Sequence, residues 1–158
     1  MTRARIIRAT WTVAVAALLA AASPARAADE GGKQAITSAD APAPGGSYSQ
    51  AVKVGNLVFL AGQLGFDPKT RQLDKDATIE GQTRRTLDNL KAVLAADGLT
   101  MDSVVSTTVY MKDIGEFSRM NEVYATYFKA VPPARATVEV ARLPREAKIE
   151  ISAIAVRP

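Results

Sequence analysis

Two runs of β-branched residues near the C-terminus, 135–144 and 148–156, constrain this chain more than any other feature. Val, Ile and Thr suit a pleated surface, and both runs read as strands. The first starts directly after Pro132-Pro133-Ala134, and Pro144-Arg145-Glu146-Ala147 separates the two. Proline has no N–H for a ladder, so the break is chemical as well as compositional. Side chains alternate along a strand, which places Arg135, Thr137 and Glu139 on one face and Ala136, Val138 and Val140 on the other. On the second run Glu150 and Ser152 oppose Ile149, Ile151 and Ala153. An arginine at the mouth of one strand and a carboxylate on the next are costly to bury unless each has a partner. The pair Arg135 and Glu150 is therefore the expected centre of any chemistry.

The residues that are missing narrow the options. The 158-residue chain has no cysteine and no histidine. Disulfides, thiolate metal sites, cysteine nucleophiles and the usual near-neutral acid/base are excluded. Catalysis must use carboxylates, Arg, Lys, Tyr, hydroxyls, backbone amides or water. No metal-ligand spacing occurs, and no glycine-rich phosphate loop. The length suits one domain with a core of its own.

The formal charge of +4 reports one end of the chain. Arg3, Arg5, Arg8 and Arg26 lie in an acid-free stretch, and without them 16 bases meet 16 acids. No basic stripe is left for a nucleic acid, so that partner is disfavoured. Residues 1–27 have the build of a secretory signal. A basic start precedes an apolar run from Trp11 to Ala22, and Ala25-Arg26-Ala27 fits a small-x-small cleavage site. The apolar run is too short to span a bilayer. The expectation is cleavage after Ala27, export to the periplasm or beyond, and no membrane partner afterwards. Residues 28–46 read as a polar linker and N-terminal arm with a short edge strand near 34–37. Residues 47–158 form the domain.

Within the domain, two extended runs flank Gly55-Asn56, a hairpin signal that requires φ > 0. Gly62 reads as the end of the second run. Residues 76–97 carry Ile79, Thr83, Leu87, Leu90 and Leu94 at helical spacing, with Arg84, Arg85, Asp88 and Lys91 outside. Asp97-Gly98-Leu99 is a helix stop. Residues 102–112 alternate as a strand, with Val105, Thr107, Val109 and Met111 on one side. Asp113 is placed to cap a second helix reaching about Lys129, with Phe117, Met120, Val123, Tyr124, Tyr127 and Phe128 as its apolar stripe. The order β-β-α-β-α-β-β predicts an α+β fold with five or six strands and both helices on one face. The other face, rich in Val, Thr, Tyr and Phe, is left bare, which predicts a homo-oligomer.

Taken singly, the candidate residues stay ambiguous. Arg135 could pair with Glu150 or Glu139, and Glu150 with Lys148 or Arg135. Tyr48 could be a half-buried strand tyrosine and Gly62 a strand end.

Several segments resemble one family. Pro133-Ala134-Arg135 with 137–144 and Ile149-Glu150-Ile151 is similar to the C-terminal signature of the RidA/YjgF proteins, reactive enamine/imine deaminases. Thr37-Ser38-Ala39-Asp40-Ala41-Pro42, Gly46-Ser47-Tyr48-Ser49-Gln50-Ala51, Val58-Phe59-Leu60-Ala61-Gly62-Gln63, Thr86-Leu87-Asp88-Asn89-Leu90 and Val109-Tyr110-Met111-Lys112-Asp113 extend the likeness over roughly 34–157. The resemblance implies a chorismate-mutase-like sheet, a homotrimer with a central barrel and clefts between subunits. It implies cofactor-free hydrolysis of short 2-imino acids and their enamine tautomers, such as 2-iminobutanoate and 2-iminopropanoate, to 2-keto acids and ammonia. In that reading Arg135 holds the substrate carboxylate, helped by backbone amides near Gly62 and Thr137. Glu150 positions the attacking water, Tyr48 closes the pocket and Asn121 adds a polar wall. The sequence departs from the family where Thr137 replaces a cysteine of some members, where Ser47 replaces a common proline, and where Ser152 replaces a second glutamate. A trimeric binding module for small carboxylates, without turnover, is the alternative. RNA cleavage, ascribed to some relatives, suits neither the leader nor the neutral charge count.

Overall fold

The computed structural model describes residues 32–73 and 77–158. The expected signal segment and its cleavage site lie outside the described residues. No helix among the described residues is long and apolar enough to cross a membrane.

Six strands form one mixed sheet in the order β1-β2-β3-β6-β4-β5. They are β1 (Gln34–Ile36), β2 (Ala51–Val54), β3 (Leu57–Leu64), β4 (Val104–Met111), β5 (Ala134–Glu139) and β6 (Ile149–Val156). All neighbours are antiparallel except β4 and β5. The expected β2–β3 hairpin forms, with Val54 opposite Leu57 and Gly55 at φ +59°. Positive φ at the first of two loop residues matches the strand twist, and glycine takes it without strain.

Helix α1 (Ile79–Ala95) begins where the Thr78 hydroxyl accepts a hydrogen bond from the Gly81 amide. Its apolar stripe is the expected one, and Ile79, Leu87, Leu90 and Leu94 are fully buried. The chain closes it by a Schellman pair, with Leu99 N–H donating to Leu94 O and Gly98 N–H to Ala95 O at 3.0 Å each. Gly98 stands at φ +73°.

Helix α2 (Phe117–Ala125) is shorter than its apolar stripe. Asp113 caps a 3-10 turn, Ile114–Glu116, rather than the helix itself. At the other end the Thr126 hydroxyl donates to Val123 O at 2.7 Å, and the last turn tightens to i→i−3 bonds. Tyr127 and Phe128 therefore leave the helix. Phe128 stays buried, its ring centroid 4.6 Å from that of Tyr124.

Both helices cover one face. There, Leu60, Ala153, Thr107 and Arg135 line up across four strands, as do Gln63, Ile151, Val109 and Thr137. The Tyr124 hydroxyl on α2 shares a 2.7 Å hydrogen bond with Thr107 on that face. Along β6 the alternation is complete, with Ile149, Ile151, Ala153 and Ala155 beneath the helices. Among the described residues nothing covers the opposite face, which carries Leu57, Phe59 and Val138, the last two 44% and 43% exposed.

Two β-bulges shift the sequence alternation. One lies between Val104 and Ser106 in the β4–β6 ladder. It turns Val104 inward and leaves Val105 exposed, so Val104, not Val105, joins Thr107, Val109 and Met111. The other lies between Leu60 and Gln63 in the β3–β6 ladder. Gly62 sits inside it, and β3 runs on to Leu64 instead of ending at Gly62. An extra residue unpairs the ladder locally and re-aims its neighbours.

Candidate active site

Arg135 and Glu150 do not meet within one chain, so the suggested ion pair between them does not form there. Strands β5 and β6 are consecutive in sequence, but β4 lies between them in the sheet. Glu150 is level with Tyr110 and Val138, three residues along from Arg135. Strand spacing then puts the two Cα atoms about 14 Å apart. The side chains also leave opposite faces, Arg135 on the helix side and Glu150 on the open side. The structure instead builds two separate groups.

The first group gathers around the β3 bulge. With Glu150 in this position no Cβ fits at Gly62: it would overlap Glu150 Oε1 and lie 2.8 Å from its Cδ. The Glu150 carboxylate thus occupies the space that the missing side chain leaves. It accepts no hydrogen bond and makes no ion pair among the described residues. Lys148, its suggested partner, reaches Glu116 at 3.5 Å instead. Burial pushes the Glu150 carboxyl above its ordinary value. Beside the bulge, a cavity of about 330 Å³ is lined by Tyr48, Gln50, Gly62, Gln63, Leu64 and Phe66, among others. Tyr48 precedes β2 rather than belonging to it, and is 54% exposed. Its hydroxyl accepts a 3.1 Å hydrogen bond from Gly45 N–H.

Gln50 holds this group in place, a role that sequence reasoning missed. It is 2% exposed and ties down the N-terminal arm. Its Oε1 accepts from Ser38 N–H at 2.7 Å, and its Nε2 donates to the carbonyls of Ser38, Ala41 and Pro42. Asn89 on α1 does the same for the exit of β3, donating to Leu64 O and Phe66 O at 2.9 Å each. Both are polar residues at buried positions within segments that the resemblance picked out, which was the available signal.

The second group lies at the far edge of the sheet. Arg135 makes no ion pair among the described residues. Its guanidinium carbon lies 4.5 Å from the Tyr124 ring centroid and 5.5 Å from that of Phe117. Two aromatic faces attract the cation without neutralising it. Burial raises the Tyr124 hydroxyl pKa, while its bond to Thr107 and the Arg135 charge act the other way. A second cavity, about 340 Å³, is lined by Asn121, Tyr124, Phe128, Pro132, Pro133 and Arg135. Strand β5 is an edge. Val140 N–H donates to Met111 O, so alternation turns the Thr137 N–H outward, away from β4. The Thr137 hydroxyl is buried without a hydrogen-bond partner among the described residues. Glu139, the other suggested partner of Arg135, accepts from Ile114 N–H instead.

The candidates thus divide. Tyr48, Gly62 and Glu150 share one group, and Arg135, Asn121 and the Thr137 amide share the other. Among the described residues, no cluster of three or more Asp, Glu, His or Cys could hold a metal ion. An uncompensated guanidinium beside an outward amide can take a carboxylate, and a desolvated carboxylate can hold or protonate a small polar molecule.

Residues 38–157 match the family model described as Endoribonuclease L-PSP. A RutC family protein of Pyrococcus horikoshii is 51% identical over 123 residues, covering 78% of this chain and 97% of that one. The Escherichia coli protein named 2-iminobutanoate/2-iminopropanoate deaminase is 45% identical over 125 residues, covering 77% and 96%. The crystal structure of Escherichia coli TdcF with bound serine superposes with a TM-score of 0.75 at 39% identity, covering 80% of this chain and all of that one.

Proposed function

This chain belongs to the Endoribonuclease L-PSP family, which includes the RidA/YjgF proteins, and from that premise we propose that it hydrolyses 2-imino acids to 2-keto acids and ammonia. The observation that carries the reading is the pair of half-sites. An arginine that makes no ion pair among the described residues and lies over two aromatic rings suits a substrate carboxylate. A partly desolvated glutamate without a partner among the described residues suits the water that attacks the imine carbon.

Neither half is sufficient alone, and one chain cannot join them. The reading therefore includes an oligomer in which the β5 edge of one subunit faces the Gly62–Glu150 bulge of the next. The uncovered sheet face supplies apolar surface for that contact, and a closed ring of three copies matches the resemblance. Arg135 then holds the carboxylate, with the outward Thr137 amide beside it and Asn121 along the wall. Tyr48 bounds the opposite side. An imine carbon is already electrophilic, so the work left is orientation and proton handling. Glu150 accepts a proton from the attacking water as the C–O bond forms. It returns that proton to nitrogen, giving the carbinolamine; the carbinol hydroxyl proton then passes by way of Glu150 to nitrogen as the C=O bond forms and the C–N bond breaks, releasing ammonia and the keto acid. A carboxyl with a raised pKa suits both directions of transfer. No cofactor enters the scheme.

The N-terminal segment supports export, so the setting we propose is the periplasm or the exterior. The non-catalytic alternative keeps the carboxylate grip and dispenses with the water. The experiment uses the protein beginning at residue 28 and an imino acid generated in situ by an amino-acid oxidase. Hydrolysis accelerated by the protein and lost in both Arg135→Ala and Glu150→Ala supports the reading. Carboxylate binding without acceleration supports the binding module. Turnover that survives Arg135→Ala removes the site assignment.

A further inference from the structure

Three non-glycine residues of the described chain adopt left-handed backbone conformations: Arg71 at φ 59°, Arg145 at 54° and Glu146 at 61°. Such residues carry strain that glycine would avoid, and strain of this kind gathers at functional sites. Both arginines line the same cavity as Tyr48 and Gly62. They arrive there from distant parts of the sequence, one from the loop after β3 and one from the loop before β6.

The two loops are built to present them. Asp67 organises the first, accepting from the amides of Lys69 and Thr70 at 2.9 Å each, while Arg71 N–H donates to Asp67 O at 2.8 Å. The isolated bridge between Phe66 and Leu73 closes the same loop. In the second loop the Arg145 guanidinium carbon lies 5.8 Å from the Phe66 ring centroid. Neither arginine makes an ion pair among the described residues. Asp67, the acid next to Arg71 in this loop, is already engaged by backbone amides and by Arg85 at 3.9 Å. Among the described residues the cavity lining includes these two arginines and no Asp or Glu.

We propose that Arg71 and Arg145 form a second anion subsite at the mouth of the Tyr48–Gly62 cavity, selecting substrates that carry a distal carboxylate. Resting on the imine-hydrolase reading, the inference names the substrate class as 2-imino dicarboxylic acids. Arg135 holds the carboxylate next to the imine carbon, and Arg71 and Arg145 hold the one at the far end. The reaction that supplies such a substrate is the oxidation of an acidic amino acid at its α-carbon, and the product is a dicarboxylic 2-keto acid.

The test compares two substrates generated in situ, 2-iminobutanoate and 2-iminosuccinate, on the unaltered protein, Arg71→Gln/Arg145→Gln and Arg71→Lys/Arg145→Lys. The expected result is a rise of about tenfold in KM for the dicarboxylic imine in the Gln pair. Its kcat stays unchanged, 2-iminobutanoate is unaffected, and the Lys pair restores most of the loss. A KM unchanged for 2-iminosuccinate, or raised equally for both substrates, overturns the subsite. If no imine is hydrolysed at all, the imine reading fails, and the subsite is read from calorimetric binding of succinate and butanoate. Succinate binding that weakens selectively in the Gln pair sustains the subsite; equal binding of both acids by both proteins overturns it.

Discussion

The contact between Gly62 and Glu150 gives a way to displace a catalytic carboxylate without touching it. In Gly62→Ala the new Cβ would overlap Glu150 Oε1, lying 2.8 Å from Cδ and 3.0 Å from Cγ. Carbon–carbon contacts relax near 3.5 Å or beyond, so the Glu150 side chain must leave its rotamer. The backbone has no objection, since Gly62 is outside the left-handed region. The obstacle is the end of a flexible, half-buried side chain, so the cost to the fold is that of one rotamer change, about 1 kcal/mol. For a domain of this size that lowers Tm by roughly 5 °C. Turnover should fall far more. Removing a positioned acid/base group typically costs about 100-fold or more, or about 2.7 kcal/mol of barrier. The assay is imine hydrolysis in parallel with thermal unfolding, on Gly62→Ala, Glu150→Ala and the double variant. The double variant should be no slower than Glu150→Ala alone, because both substitutions remove the same carboxylate from the same place. Unaltered turnover in Gly62→Ala would refute the placement of Glu150. Loss that multiplies in the double variant would refute the argument that Gly62 acts through it.

Three more outcomes are expected. Glu150 has a folded-state pKa above its unfolded value, so the unfolded chain ionises first as pH rises and the native state loses stability across that window. Glu150→Gln should therefore be at least as stable as the unaltered protein at neutral pH, and this difference should vanish near about pH 3, with thermal unfolding as the measurement. Gln50→Ala strands the Ser38 amide and three carbonyls; it should cost about 3 kcal/mol and lower turnover as the Tyr48 segment loosens, seen by denaturant unfolding and by kcat/KM. Arg71→Gly should relieve left-handed strain and stabilise the fold by about 1 kcal/mol in thermal unfolding, while weakening binding of a dicarboxylate.

Much of this architecture is legible in the residues. The β6 alternation, the α1 stripe, the Gly55 turn and the Gly98 stop each depend on local periodicity or on one backbone conformation, and each forms as the pattern requires. The absence of histidine and cysteine confines the chemistry to carboxylates, Arg, Lys, Tyr, hydroxyls, backbone amides and water before any coordinate is known, and the segments around Arg135 and Glu150 carry the family resemblance. Local pattern fails where one residue changes the count. The bulge at Val105 reverses the inward side of the start of β4, the bulge at Gly62 carries β3 past an apparent end, and the Thr126 hydroxyl stops α2 short of Phe128. Sheet order is the larger matter. Arg135 and Glu150 lie on successive strands, and adjacency in sequence suggests adjacency in space. The β4–α2–β5 crossover puts β5 parallel to β4 at the edge, and β6 then inserts between β3 and β4. That long-range pairing sends the guanidinium and the carboxylate to different faces, and it brings Arg71 and Arg145 to one cavity from opposite ends of the domain. Side-chain chemistry is a property of the residue and can be read from its letter; which residues meet is set by strand order and bulges, and only the folded sheet decides that.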